Sequence, residues 1–244
     1  MAGVSGPTTL AGAAAVGNAE ILAGIVINQV LEPGRPVIHN LGLAHVFDMR
    51  ASIAVTGAPE NHLLAGLGAA MGRFYNLPSC SWVSTESMAT DSQAAMEKTA
   101  GFLSHLQSGN NLVWGVGQLE SELTVSPAQA VIDNEILAYV RRYLRGVEVD
   151  EDTLALDVSR DVGIAGSFLA EEHTLRHCRS EFFEPALLYR GRRADWTDGG
   201  SRSLHERAEE KAERLMAQTV SSGLTEDQTA ELRRIEESFA SQAK

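Results

Sequence analysis

A few places in the 244-residue chain hold side chains whose type and spacing could do chemistry. His173 and His177 stand one helical turn apart, the spacing at which two imidazoles can share a metal ion. No glutamate follows His173 as a base and no third ligand is evident, so the HTLRH stretch is not a protease signature. The reading taken is that the pair packs against a neighbour or faces a partner, with no metal site. Gly115-Val116-Gly117 follows a β-rich run and matches the first half of a dinucleotide fingerprint. Gln118, Leu119 and Glu120 stand where its third glycine belongs. Close approach of backbone to a ligand explains the two glycines as well. Trp82 and Trp114 could turn aromatic faces to a cation, worth roughly 0.5 to 2 kcal/mol each, or pack in a core. Glu86 and Glu120 could neutralise a cation or hold a water, the ordinary alternative being a solvated loop glutamate.

The bulk composition narrows the classes. A net charge of −12 argues against unspecific nucleic-acid binding and would attract a cationic ligand, although a solvated acidic surface is the commoner meaning. Cys80 and Cys178 are in no CxxC spacing, which points to a reducing, cytoplasmic setting without a disulfide framework or a cysteine-rich zinc site. The apolar stretch from Leu10 to Leu31 has no basic residue before Arg35, and Asn18, Glu20, Asn28 and Gln29 interrupt it. Each would be costly in lipid, so the expectation is a buried helix of a soluble protein and no membrane.

The elements that must position these residues alternate through the first 146 positions. A helix from about Thr9 to Leu31 ends at Pro33-Gly34. A short strand, Pro36 to His39, and a long loop to Pro59 follow. The next helix carries Leu63, Leu67, Met71 and Phe74 on one face. A strand from Ser79 to Val83 leads to a helix beginning near Asp91, with Thr90 and Gln93 as a capping box and Gly109 at its C-terminal cap. The third strand covers Asn111 to Val116. Ser126, Pro127 and Gln129 supply the cap, first-turn proline and capping-box partner of a helix that ends at Gly146. This alternation predicts parallel strands with helical crossovers. Beyond Gly146 only helices are predicted. They break at Gly163 to Gly166, give way to a polar stretch from Arg190 to Ser203, and close with two amphipathic helices, the last opened by a Thr225–Gln228 capping box. Three strands make a small parallel sheet with open edges, an arrangement that calls for strands from elsewhere.

Four stretches carry a resemblance: MAGVSGPTTLAGAAAVGNAEILAGIVINQVLEPG, YNLPSCSWVSTESMATDSQAAMEK, NNLVWGVGQLESELTVSPAQAVIDNEILAYVRR and FLAEEHTLRHCRSEFFEPALLYRGRRADW. Together they resemble the trimethylamine methyltransferase family, in order and nearly without gaps, from residue 1 to the helix near Leu215. The resemblance implies a partial TIM (β/α)8 barrel, its C-terminal half, with residues 1–146 as βα units and residues 147–244 as a helical C-terminal extension. It places Met1 inside the family's chain, so an N-terminal half would be missing. It also implies the reaction: a methyl group moves from a methylated amine to the Co(I) of a small corrinoid protein. No DxHxxG stretch occurs, so the cobalamin would arrive on that partner and this chain would bind none itself. Where trimethylamine-specific members carry pyrrolysine, counting from the shared Tyr-x-Leu-Pro, this chain has Ser84. That favours a quaternary amine such as glycine betaine over trimethylamine.

In barrels of this kind chemistry sits at the C-terminal ends of the strands. The resemblance thereby selects His39, Trp82, Ser84, Trp114 and Gln118 for substrate, Glu86 and Glu120 for catalysis, and Gly115 and Gly117 for approach of the corrinoid. Arg190, Arg192 and Arg193 near Trp196 form a docking patch or a solvated turn. The rival reading is a non-catalytic assembly module that needs an N-terminal half, or a second copy, in trans. A small nucleotide-binding protein using the Gly115 loop is a third.

Overall fold

The computed structural model describes residues 1–41, 45–218 and 223–242. In chain order the elements begin α1 (Leu10–Leu31), β1 (His39–Asn40), β2 (Val46–Asp48), β3 (Ile53–Val55), α2 (Pro59–Phe74), β4 (Ser79–Trp82), α3 (Ser92–Gln107) and β5 (Leu112–Trp114). They continue with β6 (Gln118–Leu119), β7 (Thr124–Val125), α4 (Pro127–Arg145), α5 (Glu151–Leu154), α6 (Leu156–Val162), α7 (Glu172–Glu181), α8 (Arg193–Asp198), α9 (Leu204–Met216) and α10 (Glu226–Gln242). A 3-10 turn, Glu120–Glu122, joins β6 to β7.

β1, β4 and β5 form a parallel sheet in that order, as the strand–helix alternation predicts. His39 lies opposite Ser79, and Trp82 opposite Trp114. All of β4 is buried, which suits the central strand of a parallel sheet. Val83, just past β4, and Val113 of β5 pack into a cluster with Phe102 of α3 and Val140 of α4. By strand alternation Cys80, Trp82, Leu112 and Trp114 belong to the other face, where Leu112 is 52% exposed. The face towards the helices thus carries Val83 and Val113 with the small, buried Ser79 and Ser81, and the far side is open at β5.

Several expectations are corrected. The first strand is later than Pro36–His39, at His39–Asn40. The long loop to Pro59 contains the β2–β3 hairpin, and its residues 42–44 fall outside the described residues. Asp91, not Thr90, caps α3 by accepting from the Ala94 amide, while Gln93 donates to Glu97. Ser126 caps α4 as expected, but the Gln129 amide group donates to Asp133 instead of returning to the cap.

Two helices leave much of their apolar surface outside. Leu63, Leu67 and Phe74 of α2 point outward, while Leu64, Ala65, Gly68, Ala69 and Gly72 form its inner face. The cause is close approach: a Cβ on Gly68 would stand 2.8 Å from Leu41 Cβ, and one on Gly72 would stand 3.0 Å from Ser79 Cβ. Only small residues fit there. The expected burial of the first helix is not met, because α1 buries only Ala13 and Ala14. Ala14 and Ile21 pack with Leu41 and Leu64, and Asn18 is tied to Tyr75 and His39. Beyond that, Val26, Ile27, Val30 and Leu31 are exposed. By length and composition α1 is apolar enough to cross a membrane, yet its first half is docked on the α/β body.

Past Gly146, where φ is +72° and α4 ends, no strand occurs among the described residues. α9 returns to α4, burying Ala208 against Ala128, Ile132 and Leu187.

Candidate functional site

The segments that follow β4 and β5 are sewn together at one end of the sheet. The Glu120 amide donates to the Ser87 carbonyl at 2.9 Å and the Ser121 amide to that of Thr85 at 2.9 Å. Trp82 and Trp114 stack at 5.4 Å with 22° between planes, worth about 0.5 to 1.5 kcal/mol beyond their burial. Two residues past Trp82, the Ser84 hydroxyl is buried and has no hydrogen-bond partner, and the Gln118 side-chain oxygen is in the same condition. An unpaired buried polar group costs about 1 to 3 kcal/mol, so both atoms are open to a further partner, as are Asn61 Oδ1 and Gln129 Oε1 elsewhere in the body.

Glu86 is the knot of this end. One carboxylate oxygen accepts from the Thr56 amide at 2.5 Å, the Thr56 hydroxyl at 2.8 Å and the Gly57 amide at 3.1 Å. The other accepts from the Ser121 hydroxyl. Burial alone would raise this carboxyl; the hydrogen bonds from Ser121, Thr56 and Gly57 outweigh it and hold it below the usual carboxylate value. Glu86 is therefore a fixed negative charge at neutral pH, with both oxygens engaged, and it joins the loops before α2, after β4 and after β5. Glu97 makes a parallel clamp from α3, accepting from the Thr85 hydroxyl at 2.5 Å and the Glu86 amide at 2.8 Å. Gly57 allows it, since a Cβ there would lie 2.7 Å from a Glu97 oxygen.

The Glu120 carboxylate accepts from the Thr124 hydroxyl at 2.8 Å. Glu120, Ser121 and Glu122 all have positive φ, at 52°, 49° and 75°. A left-handed residue other than glycine costs about 1 to 2 kcal/mol, and such strain collects where the surroundings over-determine the backbone. The cross-loop bonds to Ser87, Thr85 and Glu86 supply that determination.

Beneath the strand ends lies a buried ion pair that no sequence motif announces. Lys98 Nζ of α3 sits 3.2 Å from Asp133 of α4, and both side chains are fully buried. Nζ also donates to the carbonyls of Gly115 at 2.7 Å and Val83 at 3.3 Å. Asp133 accepts from the Gly117 amide at 2.8 Å and from Gln129 at 2.7 Å. Desolvation pushes the Lys98 ammonium down from its ordinary value, and the charge of Asp133 opposes that shift. Gly115 has φ +106°, and a Cβ on it would stand 2.2 Å from the Val83 carbonyl oxygen. A Cβ on Gly117 would meet Ala130 at 3.1 Å and Ser126 at 3.3 Å. The space on the Cβ side of both glycines is filled by protein, and their lack of a side chain lets the β5 segment bend over Lys98 and Asp133.

Of the residues selected from sequence, Trp82, Ser84, Glu86, Trp114, Gln118 and Glu120 lie at or just past the C-terminal ends of β4 and β5. His39 does not join them. It pairs with Ser79 at the start of β4, is fully buried, and holds Asn18 at 3.0 Å while stacking on Tyr75 at 5.9 Å. Burial lowers its pKa, and it acts as packing between β1 and the helices. His173 and His177 converge on Asp152 far along the chain, supplying the third group that sequence reading did not find. Of the Arg190–Trp196 stretch, Arg193 stacks on Trp196 at 4.8 Å and Arg190 on Phe183 at 5.6 Å. Sequence reasoning passed over Lys98, Asp133 and Glu97. The available signal was a lysine between Ala94, Gly101 and Phe102 on the buried stripe of one helix and an aspartate beside Ile132 on the next.

A family model described as trimethylamine methyltransferase matches residues 1–238. The chain is 35% identical over 241 residues to the trimethylamine methyltransferase of Desulfitobacterium hafniense, covering 97% of this chain and 48% of that protein. It is 37% identical over 217 residues to the trimethylamine methyltransferase of Methanosarcina barkeri, covering 88% and 43%. It is 36% identical over 198 residues to a glycine betaine methyltransferase of Desulfitobacterium hafniense, covering 80% and 41%. The chain thus spans about half the length of the curated relatives it matches. A parallel sheet with flanking helices and strand-end loops locked by buried carboxylates is the frame on which these likenesses fall, and the chain belongs to the trimethylamine methyltransferase family.

Proposed function

We propose that this chain serves a cytoplasmic methyl transfer from a small quaternary or tertiary methylated amine, of the glycine betaine kind, to the Co(I) of a separate corrinoid protein. The observation that carries the reading is the strand end itself, where the stacked Trp82–Trp114 pair adjoins the unpartnered, buried Ser84 hydroxyl. Aromatic faces attract a trimethylammonium group without donating a proton to it. Glu86, held ionised, adds a negative charge at the same end, in keeping with a net charge of −12. Gln118 offers a second unpaired acceptor, and Glu120 a carboxylate whose loop is already fixed.

In the proposed step the N–CH3 bond of a quaternary nitrogen, or of a tertiary amine that arrives protonated, breaks with its electron pair left on nitrogen, and the departing amine is neutral. A quaternary nitrogen needs no proton to leave, so the residues have to orient the bond and exclude water more than they have to act as acid or base. The corrinoid supplies the nucleophile when its protein docks, and no residue of this chain is assigned to hold it. Identity does not separate the substrates, since relatives named for trimethylamine and for glycine betaine are 35 to 37% identical to the chain. Ser84 at the family's pyrrolysine position is what favours the quaternary amine.

The accompanying proposal is that residues 1–146 are the C-terminal half of a (β/α)8 barrel, carrying the helical extension 147–244, completed by an N-terminal half or a second copy. It is supported by β1 and β5, each paired on one side only in the sheet, and by the outward Leu63, Leu67, Phe74, Val30 and Leu31. The same observation favours the assembly-module reading if no turnover is found. The test presents the chain, with and without the N-terminal half of a relative, to a Co(I) corrinoid protein. Glycine betaine, carnitine, proline betaine and trimethylamine are offered in turn, with corrinoid absorbance as the readout. A quaternary amine should react only when both halves are present. Turnover of trimethylamine alone overturns the substrate assignment, and full activity of the 244-residue chain by itself overturns the half-barrel.

A further inference from the structure

Away from the strand ends, a second group of chemically capable side chains gathers in the C-terminal region. Asp152 of α5 faces His173 and His177 of α7 across the intervening helix and loop. His177 Nε2 lies 2.9 Å from an Asp152 carboxylate oxygen and His173 Nε2 lies 3.0 Å from the Asp152 carbonyl. The two imidazole rings are 4.4 Å apart. One donor atom from each of the three residues falls within 4.8 Å of the others. We propose that Asp152, His173 and His177 bind a divalent transition-metal ion, zinc by preference, as a clip between α5 and α7.

The donor chemistry selects the metal. Two imidazoles and one carboxylate suit Zn2+ and its neighbours better than Ca2+ or Mg2+, which prefer all-oxygen sets. Tetrahedral zinc at about 2.0 to 2.2 Å from each donor needs donors roughly 3.3 Å apart. Closing from the observed spread requires the two rings to turn, His173 exchanging its contact with the Asp152 carbonyl for the ion, while the His177 side chain is 22% exposed. Arg176, which donates to Asp152 from both terminal nitrogens at 3.0 and 3.4 Å, does not block this. A carboxylate has about four lone-pair positions, and a hydrogen bond from a neighbour is the usual support of a ligating carboxylate. Asp152 and His177 line a cavity of about 590 Å3 with Glu148, Asp150, Glu181 and Arg145, so carboxylates there outnumber the one guanidinium.

An independent observation gives the clip a purpose. α5, α6 and α7 contribute no buried residue. The segment from Glu151 to Glu181 thus has no apolar core of its own. It is held by polar contacts, among them Arg142 and Arg145 on Glu181 and the cluster at Asp152. A segment short of core is where metal cross-linking contributes most to order.

The test is titration calorimetry with Zn2+ alone on the full chain, alongside the visible d–d absorption of Co2+ as a report on coordination. The wild-type chain should take up one ion, with a Co2+ spectrum of tetrahedral type. His173→Gln, His177→Gln and Asp152→Asn should each weaken binding by about tenfold or more. These groups are at the surface, and circular dichroism of each variant checks that its helices are intact. Cys178→Ser should bind as the wild type does, because the Cys178 sulfur is turned to the Leu175 carbonyl. No uptake by the wild-type chain overturns the proposal. So does uptake that the three variants leave unchanged, or that Cys178→Ser abolishes.

Discussion

The α/β body up to Gly146 and the helices after it are built on opposite terms. In the body the polar groups are inside: Lys98, His105, Gln129 and Asp133 are each no more than 1% exposed, and Glu86 and Glu97 tie loops from within. In the later region the polar links are on the surface. Of its helices that pack, α9 buries only Ala208 and Ala212. The two regions meet where Glu135 of α4 accepts from the amides of Ala186, Leu187 and Leu188 at 3.0 to 3.3 Å. Internal polar groups are costly unless fully satisfied, and they fix geometry when they are. Residues at the strand ends need fixed geometry; a helical cover needs only to stay in place. The difference in construction therefore follows the difference in demand.

The sharpest way to break this comparison is to remove one member of the inner network. Lys98→Met leaves Asp133 buried with its charge uncompensated and takes a donor from the Gly115 carbonyl. The expected loss is about 3 to 5 kcal/mol of unfolding free energy, read from urea denaturation. The double variant Lys98→Met, Asp133→Leu should recover part of that, since it removes both charges; what it cannot recover is the hold on the Gly117 amide. A loss under about 1 kcal/mol for the single variant would show that the pair does not organise the body.

Next in size is an effect of pH. Burial drives the His105 imidazole from its ordinary 6.5 to about 4, against the hydrogen bond with the Gly101 carbonyl, while His62 nearby pushes in the same direction as burial. The unfolded chain binds a proton near pH 6.5 and the folded chain only near 4, so unfolding takes up a proton between those values. Stability is fully present above pH 6.5, falls as the pH drops through that window, and has lost His105's share below about 4. A shift of this size corresponds to about 3 kcal/mol. His39 and His62, also lowered by burial, add to the same slope. The Glu86 contribution, a depressed carboxyl, is lost only below the ordinary carboxylate value of 4.5. His105→Gln should flatten the dependence of the urea midpoint between pH 6.5 and 5 while leaving the fall below pH 4.5. An unchanged slope in the upper window would remove His105 from the account.

Much of the frame was legible because it follows local rules. Ser126 and Gly109 mark helix ends, Trp82 with Val83 and Val113 with Trp114 mark the ends of β4 and β5, and the alternation marks parallel pairing. The inner face of α2 is not the one that its large side chains mark. At Gly68 and Gly72 the helix comes too close to Leu41 and Ser79 for anything but small residues, and the large ones turn outward. The buried network was illegible for a related reason. A lysine or a glutamate in a helix reads as surface by default, and only the register of two helices against the sheet brings Lys98 to Asp133. The place of His39 is a matter of register too: β1 starts level with Ser79, three residues before Trp82 in the neighbouring strand, which sets it apart from the other selected residues. The strand-end residues were selected by family resemblance and the barrel rule, and it is tertiary hydrogen bonding that gathers their loops.

The smallest expected effect tests the other half of the comparison. Arg176 and Asp152 are about half exposed, at 52% and 50% of their side chains, although their contact is as short as that of the buried pair. Water screens such a pair, and holding two mobile side chains costs entropy, so Arg176→Ala should change the unfolding free energy by no more than about 0.5 kcal/mol. The contrast with Lys98→Met is then close to tenfold for two ion pairs of similar length. Salt should reveal the same thing: added sodium chloride should erase what little Arg176 contributes and leave the Lys98 effect nearly untouched, because ions reach the first pair and not the second. If Arg176→Ala costs as much as about 2 kcal/mol, the later helices depend on their surface links as strongly as the body depends on its interior. The two regions would then differ in where their polar contacts lie, and no longer in how much those contacts decide.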